Sequence, residues 1–209
     1  MELGLRLGVN LCERHACVCG QRVTAQGHHG LSCIRGFGRQ ARHGVINDVI
    51  YRALTKAGYP TVKEPPGLVR SDGKRPDGLT LIPWRAGRSL VWDATVADTL
   101  AASYLLNTST TAGAAAEAAA TRKQAKYQEL SNTHVFIPLA LETLGPINNT
   151  GMDFISDLAR DLTRSTGDPR ESSFLFQRLS ISVQRFNAVA FRGTFTDSEN
   201  RDCNTMTIV

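Results

Sequence analysis

Ser89-Leu90-Val91-Trp92-Asp93-Ala94-Thr95-Val96-Ala97 is the stretch on which the fold turns. It is rich in β-branched and aromatic residues, lacks Gly and Pro, and is long enough for a central strand. Its period of two places Leu90, Trp92, Ala94 and Val96 on one face and Val91, Asp93 and Thr95 on the other. Asp93 is the exception in an apolar run. Burying a carboxylate without a partner is expensive, so a cation or an arginine must answer it; a metal ion and a structural arginine such as Arg75 are both open.

Outward from that strand, the chain reads as alternating elements. Before it, residues 43–57 carry Ile46, Val49, Ile50, Ala53 and Leu54 at helical spacing, and Gly58 and Pro60 give a stop. Extended segments follow at about 61–68 and 75–83, punctuated by Pro65-Pro66, Asp72-Gly73 and Arg85-Ala86-Gly87. After it come a polar loop over 107–113, an Ala-rich helix over 114–130 and a strand over 134–144. Helices over 152–164 and 170–191 complete the order, and a polar tail from Thr196 is expected to be disordered. This order predicts an α/β fold, a mixed central sheet flanked by helices.

Asp77 stands in Arg75-Pro76-Asp77-Gly78, at the start of the extended segment preceding the central strand. A plain hairpin through Arg85–Gly87 leaves Asp77 several residues along from the position opposite Asp93. Bringing the two acids together requires a kink, expected at Pro76 or Gly78. On the Ala-rich helix, Lys123 and Lys126 share a face beside Tyr127. Arg178, Arg185 and Arg192 repeat every seven residues on the last helix, a polar stripe suited to solvent or to phosphate.

Residues 1–42 have a different composition, with Cys, His, Gly and Arg and little apolar periodicity. Cys17, Cys19, His29 and Cys33 supply a thiolate pair and a His/Cys pair, enough for one tetrahedral zinc. Cys12, His15, His28 and His43 are alternative ligands. Five cysteines, four of them within the first thirty-three residues, suit metal ligation better than a disulfide framework. Gly36-Phe37-Gly38 with Gly44 is not a dinucleotide loop, since no strand precedes it.

Composition bounds the rest. At 209 residues, 42% hydrophobic and 21% charged, the chain is long and apolar enough for a self-sufficient core. Its formal charge of +5 leans mildly towards polyanionic partners. Residues 1–11 lack an uninterrupted apolar stretch, so no signal peptide is expected. The longest uncharged run is crowded with Ser, Thr and Asn, so no membrane span is expected.

Taken in order, these pieces resemble the restriction-like endonuclease domain of site-specific non-LTR retrotransposons, a branch of the PD-(D/E)XK nuclease superfamily. The match runs over most of residues 17–145. It comprises a Cys17/Cys19/His29/Cys33 knuckle, then Arg42-His43, then Arg75-Pro76-Asp77, then Asp93-Ala94-Thr95-Val96, and last Lys123-x-x-Lys126-Tyr127. The resemblance implies a zinc-knuckle-like segment over 1–42, a restriction-endonuclease-like domain over 43–195, and a tail over 196–209. It implies DNA phosphodiester hydrolysis with Mg²⁺ or Mn²⁺ on Asp77 and Asp93, and Zn²⁺ on the knuckle. Lys123 or Lys126 would be the catalytic lysine, displaced from the strand position that Thr95 occupies. Arg42, His43, Arg75 and Tyr127, with Arg178 and Arg185 of the basic stripe, would face DNA. An intracellular, nuclear protein is implied, with a reverse transcriptase or retroelement RNA as further partner. The alternative is a catalytically inactive nucleic-acid-binding module of the same origin.

Overall fold

A computed structural model describes residues 1–195; the expected disordered tail lies outside the described residues. The central sheet has four strands in the order β3-β4-β5-β6: β3 is Thr61–Lys63, β4 Gly78–Arg85, β5 Arg88–Ala97 and β6 Val135–Glu142. β3 pairs antiparallel with β4 and β4 with β5, and β6 lies parallel to β5 from Leu90/Val135 to Ala97/Glu142. The parallel pair needs a crossover. That crossover is α4 (Ala102–Thr108) and α5 (Ala114–Lys126), which ends in a 3-10 turn over Gln128–Asn132. The fold is therefore mixed α/β, a mixed sheet flanked by helices.

The alternation along β5 decides the layers. Leu90, Trp92 and Ala94 join Leu139 and Leu141 of β6 in a core closed by α3 (Phe37–Lys56), α6 (Asn149–Thr166) and α7 (Glu171–Arg192). On the opposite face, Ala97 and Ala140 meet Ala115, Ala116, Ala119 and Ala120 of α5, and Val91 and Phe136 meet Tyr127. The alanines let α5 lie close to the sheet.

Residues 1–36 form α1 (Glu2–Leu7), a two-stranded ribbon of β1 (His15–Ala16) and β2 (Arg22–Val23), and α2 (His29–Ser32). This segment has apolar anchors that the composition did not advertise, with Leu5, Val23 and Leu31 buried. It is seated on the end of α7, where His15 Nε2 lies 2.9 Å from Thr194 Oγ1 and the His15 ring stacks on Phe195.

Several boundaries differ from the sequence expectations. α3 starts at Phe37 rather than His43 and so runs across the expected 42/43 division. Gly38, in the first turns of this helix, is a helix contact: a Cβ there would lie 2.4 Å from the backbone nitrogen of Ala190. The extended segment over 61–68 stops at Lys63, because Glu64 takes a positive φ of 48° and Pro66–Leu68 form a 3-10 turn. β4 starts at Gly78, so Arg75-Pro76-Asp77 precede it. Part of the expected 107–113 loop is the end of α4. Among the described residues no helix is long and apolar enough to cross a membrane.

Two glycines on one helix test this packing. Gly38→Ala should destabilise the protein by about 1–3 kcal/mol, because backbone rather than a flexible side chain blocks the new methyl. Gly44→Ala, exposed with nothing within 4 Å, should gain up to about 1 kcal/mol. Thermal or urea unfolding reads both, and equal effects would dismiss the close α3/α7 approach.

Candidate active site and metal centre

Asp77 and Asp93 are brought together by strand register. Arg85 pairs with Arg88; carried on unbroken, that pairing would set Gly78 opposite Thr95. Irregularities between Leu79 and Pro83 and between Pro83 and Arg85 move the register, and Gly78 faces Trp92 instead. The Asp77 N–H then donates to the Trp92 carbonyl at 3.0 Å, beside Asp93. The required irregularity thus lies on the far side of Leu79, not at Pro76 or Gly78; there the Thr80 hydroxyl accepts the Leu90 N–H at 2.9 Å in place of a ladder carbonyl, and Pro83 lacks an N–H for the ladder. Gly78 has another role: the Trp92 ring lies across it, and a Cβ there would come within 2.1 Å of that ring.

Each acid has a basic partner from a different helix. Lys123 Nζ of α5 lies 2.8 Å from Asp93 Oδ2. His43 Nε2 of α3 lies 3.2 Å from Asp77 Oδ2, and the Ala94 N–H donates to the same oxygen at 2.6 Å. One turn along α3, Asn47 accepts the Trp92 indole N–H at 3.2 Å. Lys126 Nζ is 2.8 Å from the Tyr127 hydroxyl and sits over its ring, while Arg70 packs against that ring and donates to the Lys126 carbonyl.

The two carboxyls titrate apart. Burial, then the negative charge of Asp77, push Asp93 up to about 6 against the pull of Lys123. Asp77 is also buried, but the His43 imidazole and the Ala94 N–H outweigh burial and hold it below the usual carboxylate range. His43 is raised in turn, chiefly by its hydrogen bond to Asp77. Burial and the neighbouring Asp93 and Asp77 charges push the Tyr127 hydroxyl up, so it is protonated at neutral pH. Burial lowers Lys126.

The remaining expected residues divide. Arg42 is 1% exposed, with its guanidinium donating to Asn187 Oδ1 at 2.6 Å and the Leu31 carbonyl at 3.0 Å. It ties α3, α7 and α2 together and cannot face DNA, a correction to the motif reading. Arg75 pairs with Glu64 rather than with Asp93. Arg178 and Arg185 are exposed on the outward side of α7, with no described contact to the acids. Glu142 was missed. It is fully buried, and its Oε1 accepts the Ala115 and Ala116 N–H groups at 2.9 and 3.2 Å, anchoring the start of the helix that carries Lys123. Its signal was the same as that of Asp93, an acid in an apolar strand.

Cys17, Cys19, His29 and Cys33 form the metal-ligand cluster, with ligand atoms all within 4.8 Å of one another. The ribbon turn between β1 and β2 presents Cys17 and Cys19, and α2 presents His29 and leads to Cys33. Cys17 Sγ and Cys33 Sγ are 3.7 Å apart, and Cys19 Sγ and His29 Nε2 are 3.3 Å apart. Ligands at about 2.3 Å from a tetrahedral zinc stand roughly 3.8 Å from one another, so the donor set fits. Burial pushes the Cys17 thiol up to about 11 without a metal. A bound cation would offset that penalty and hold the thiolate. Of the alternative ligands, His15 and His43 are engaged elsewhere, His28 lies outside the four-residue group, and Cys12 packs against it with its Sγ beside the Thr24 and Ala25 carbonyls.

The chain matches no family model and no curated protein. Its chemistry has to be read from its own geometry.

Two measurements check this site. Purified under reducing conditions, the chain should carry one zinc, and Cys33→Ser should lose it while opening residues 12–36 to hydrogen exchange and sparing β5 and β6. Metal-free protein with an intact exchange pattern would exclude the ion as the organiser. Asp93 supplies a pH test. An acid whose folded pKa exceeds its unfolded value destabilises the fold once ionised; the penalty is absent below about pH 4 and complete above about 6. Asp93→Asn should therefore raise stability by about 2 kcal/mol at pH 7.5 without added Mg²⁺, and by nothing near pH 4. A less stable variant at pH 7.5 would show that the Lys123 pair outweighs burial.

Proposed function

We propose that the chain is a metal-dependent DNA endonuclease of the PD-(D/E)XK type, akin to the restriction-like endonuclease domain of site-specific non-LTR retrotransposons. The observation that carries this reading is the meeting of Asp77 and Asp93 across a shifted register, with Lys123 beside them. Burial, and then the repulsion of the neighbouring Asp77, push Asp93 up to about 6. Such a pair is unfavourable as scaffold and favourable as a cation site. The mixed four-stranded sheet with helices on both faces supports a restriction-endonuclease-like fold.

Asp77 and Asp93 would hold a divalent cation, Mg²⁺ or Mn²⁺, which supplies neutralisation of phosphate charge and a more acidic bound water. The chain's own groups supply the rest. His43 and the Ala94 N–H keep Asp77 ionised and oriented. Lys123 offers a positive charge where negative charge accumulates on phosphate, which favours it over Lys126, whose ammonium is held against Tyr127. Tyr127, 1% exposed, lies beneath the acids and does not face DNA, a correction to the motif reading; its protonated hydroxyl is turned to Asp93. The Cys/Cys/His/Cys cluster carries zinc as a structural ion and orders the segment that leads into α3.

A supercoiled-plasmid nicking assay with Mg²⁺ or Mn²⁺ tests the reading. Wild-type protein should nick; Asp93→Ala and Asp77→Ala should each lose at least about 100-fold, and Lys123→Ala should fall further than Lys126→Ala. Asp93→Ala should retain or slightly gain DNA affinity, since it removes negative charge. Nicking that survives Asp93→Ala would refute the assignment and leave the nucleic-acid-binding module.

A further inference from the structure

Beside the acids lies a groove whose basic and apolar residues Ile34, Arg35 and Arg39 belong to none of the motifs of the resemblance, although His43 and Thr95 of its lining do. β4 leaves β5 at Asp77, and among the described residues no strand pairs with the β4 side of β5 beyond Trp92. The first turns of α3 stand across from that free edge and enclose a groove of about 550 Å³. Its lining includes Ile34, Arg35, Arg39, Gln40, His43 and Thr95. Three observations make it more than a gap. Among the described residues no carboxylate lines it or pairs with Arg35 or Arg39, whereas many other arginines of the chain have acid partners. Ile34, 84% exposed, is a large apolar side chain presented at the mouth of a basic groove. The groove also opens onto the acids, because His43 lines it and bonds Asp77.

We propose that this groove holds a single strand of the nucleic acid beside the acid pair, with phosphates on Arg35 and Arg39 and a base against Ile34. The inference rests on the nuclease reading for what happens next to the groove, but not for binding in it. The space is a cleft between one helix and one strand edge, suited to one backbone rather than a duplex. Phosphate contacts supply salt-dependent affinity, and an apolar surface needs an unstacked base to cover it. Arg39 and His43 are one helical turn apart, so a strand following the α3 face passes from a phosphate-binding arginine to the acids. The wall is held in place by the metal segment: the Gly36 N–H donates to the carbonyl of Cys33 at 3.1 Å, and the Arg39 N–H to that of Gly36 at 3.2 Å.

The test is fluorescence anisotropy with zinc-loaded protein and no added Mg²⁺ or chelator, using a labelled single-stranded oligonucleotide and a blunt duplex of the same sequence. Arg35→Ala/Arg39→Ala should weaken single-strand binding roughly tenfold or more at 0.1 M salt and shallow the salt slope by about 1.4, the value for two phosphates on a single strand. Ile34→Ala should weaken single-strand binding about three- to tenfold and leave the duplex unchanged. Thermal melts and zinc content should match wild type, and Arg35→Gln/Arg39→Gln should repeat the result if the alanine variant does not. Wild-type affinity and slope in the arginine variants, or equal losses on both ligands in Ile34→Ala, would overturn the proposal. A protein that binds through the groove but never nicks would remove the nuclease reading and leave the groove standing. Nicking with unaltered affinity in the arginine variants would do the reverse.

Discussion

A carboxylate left 3% exposed in the middle of a central strand must be met by positive charge or by a proton, and the rest of this molecule is arranged around how Asp93 is met. Lys123 reaches it from α5 on one sheet face. A second acid, Asp77, arrives just before β4 through a register shift in that strand and is met by the His43 imidazole from α3. The outcome is two acids answered by a lysine and a histidine from two helices. Replacing the lysine and histidine by one divalent ion would satisfy the same oxygens, which is the physical reason to read the cluster as a site.

Rigid supports stand behind that cluster. α5 is set down on the sheet by alanines and fastened at its first turn by the buried carboxylate of Glu142, so Lys123 emerges at a defined height. α3 is pinned at three points along its length: Gly38 against Ala190, Arg42 to Asn187 and Leu31, and Asn47 to Trp92. These contacts are buried and polar or backbone-close, and they fix helix position more sharply than apolar packing alone. The segment with the Cys/His cluster is continuous with this support, since the turn after Cys33 runs directly into α3.

Much of this was legible in the amino-acid order. The central strand, its two faces, the flanking Ala-rich helix and the ligand set Cys17, Cys19, His29 and Cys33 all follow from local pattern, because alternation, helix-forming composition and ligand density are properties of neighbouring residues. Arg42 was misplaced because an arginine beside a histidine looks alike whether it faces solvent or an interior amide. Arg35 and Arg39 were passed over because the segment holding them was read as ion-organised coil. With α3 starting at Phe37, Arg39 and His43 share a helix face.

By itself, the sequence determined that an acid would be buried in β5, that α5 would carry two lysines on one face, and that a thiolate-rich segment would precede them. Whether Asp77 could reach Asp93 was beyond it, since an even hairpin argues against their meeting. Only the tertiary structure decided that, through irregularities around Pro83 that no local pattern specifies in number or place. It also chose Lys123 over Arg75 as the partner of Asp93. Which cation answers a buried charge depends on how a helix from one sheet face and a loop from another stack in space, and distance along the chain carries no information about that.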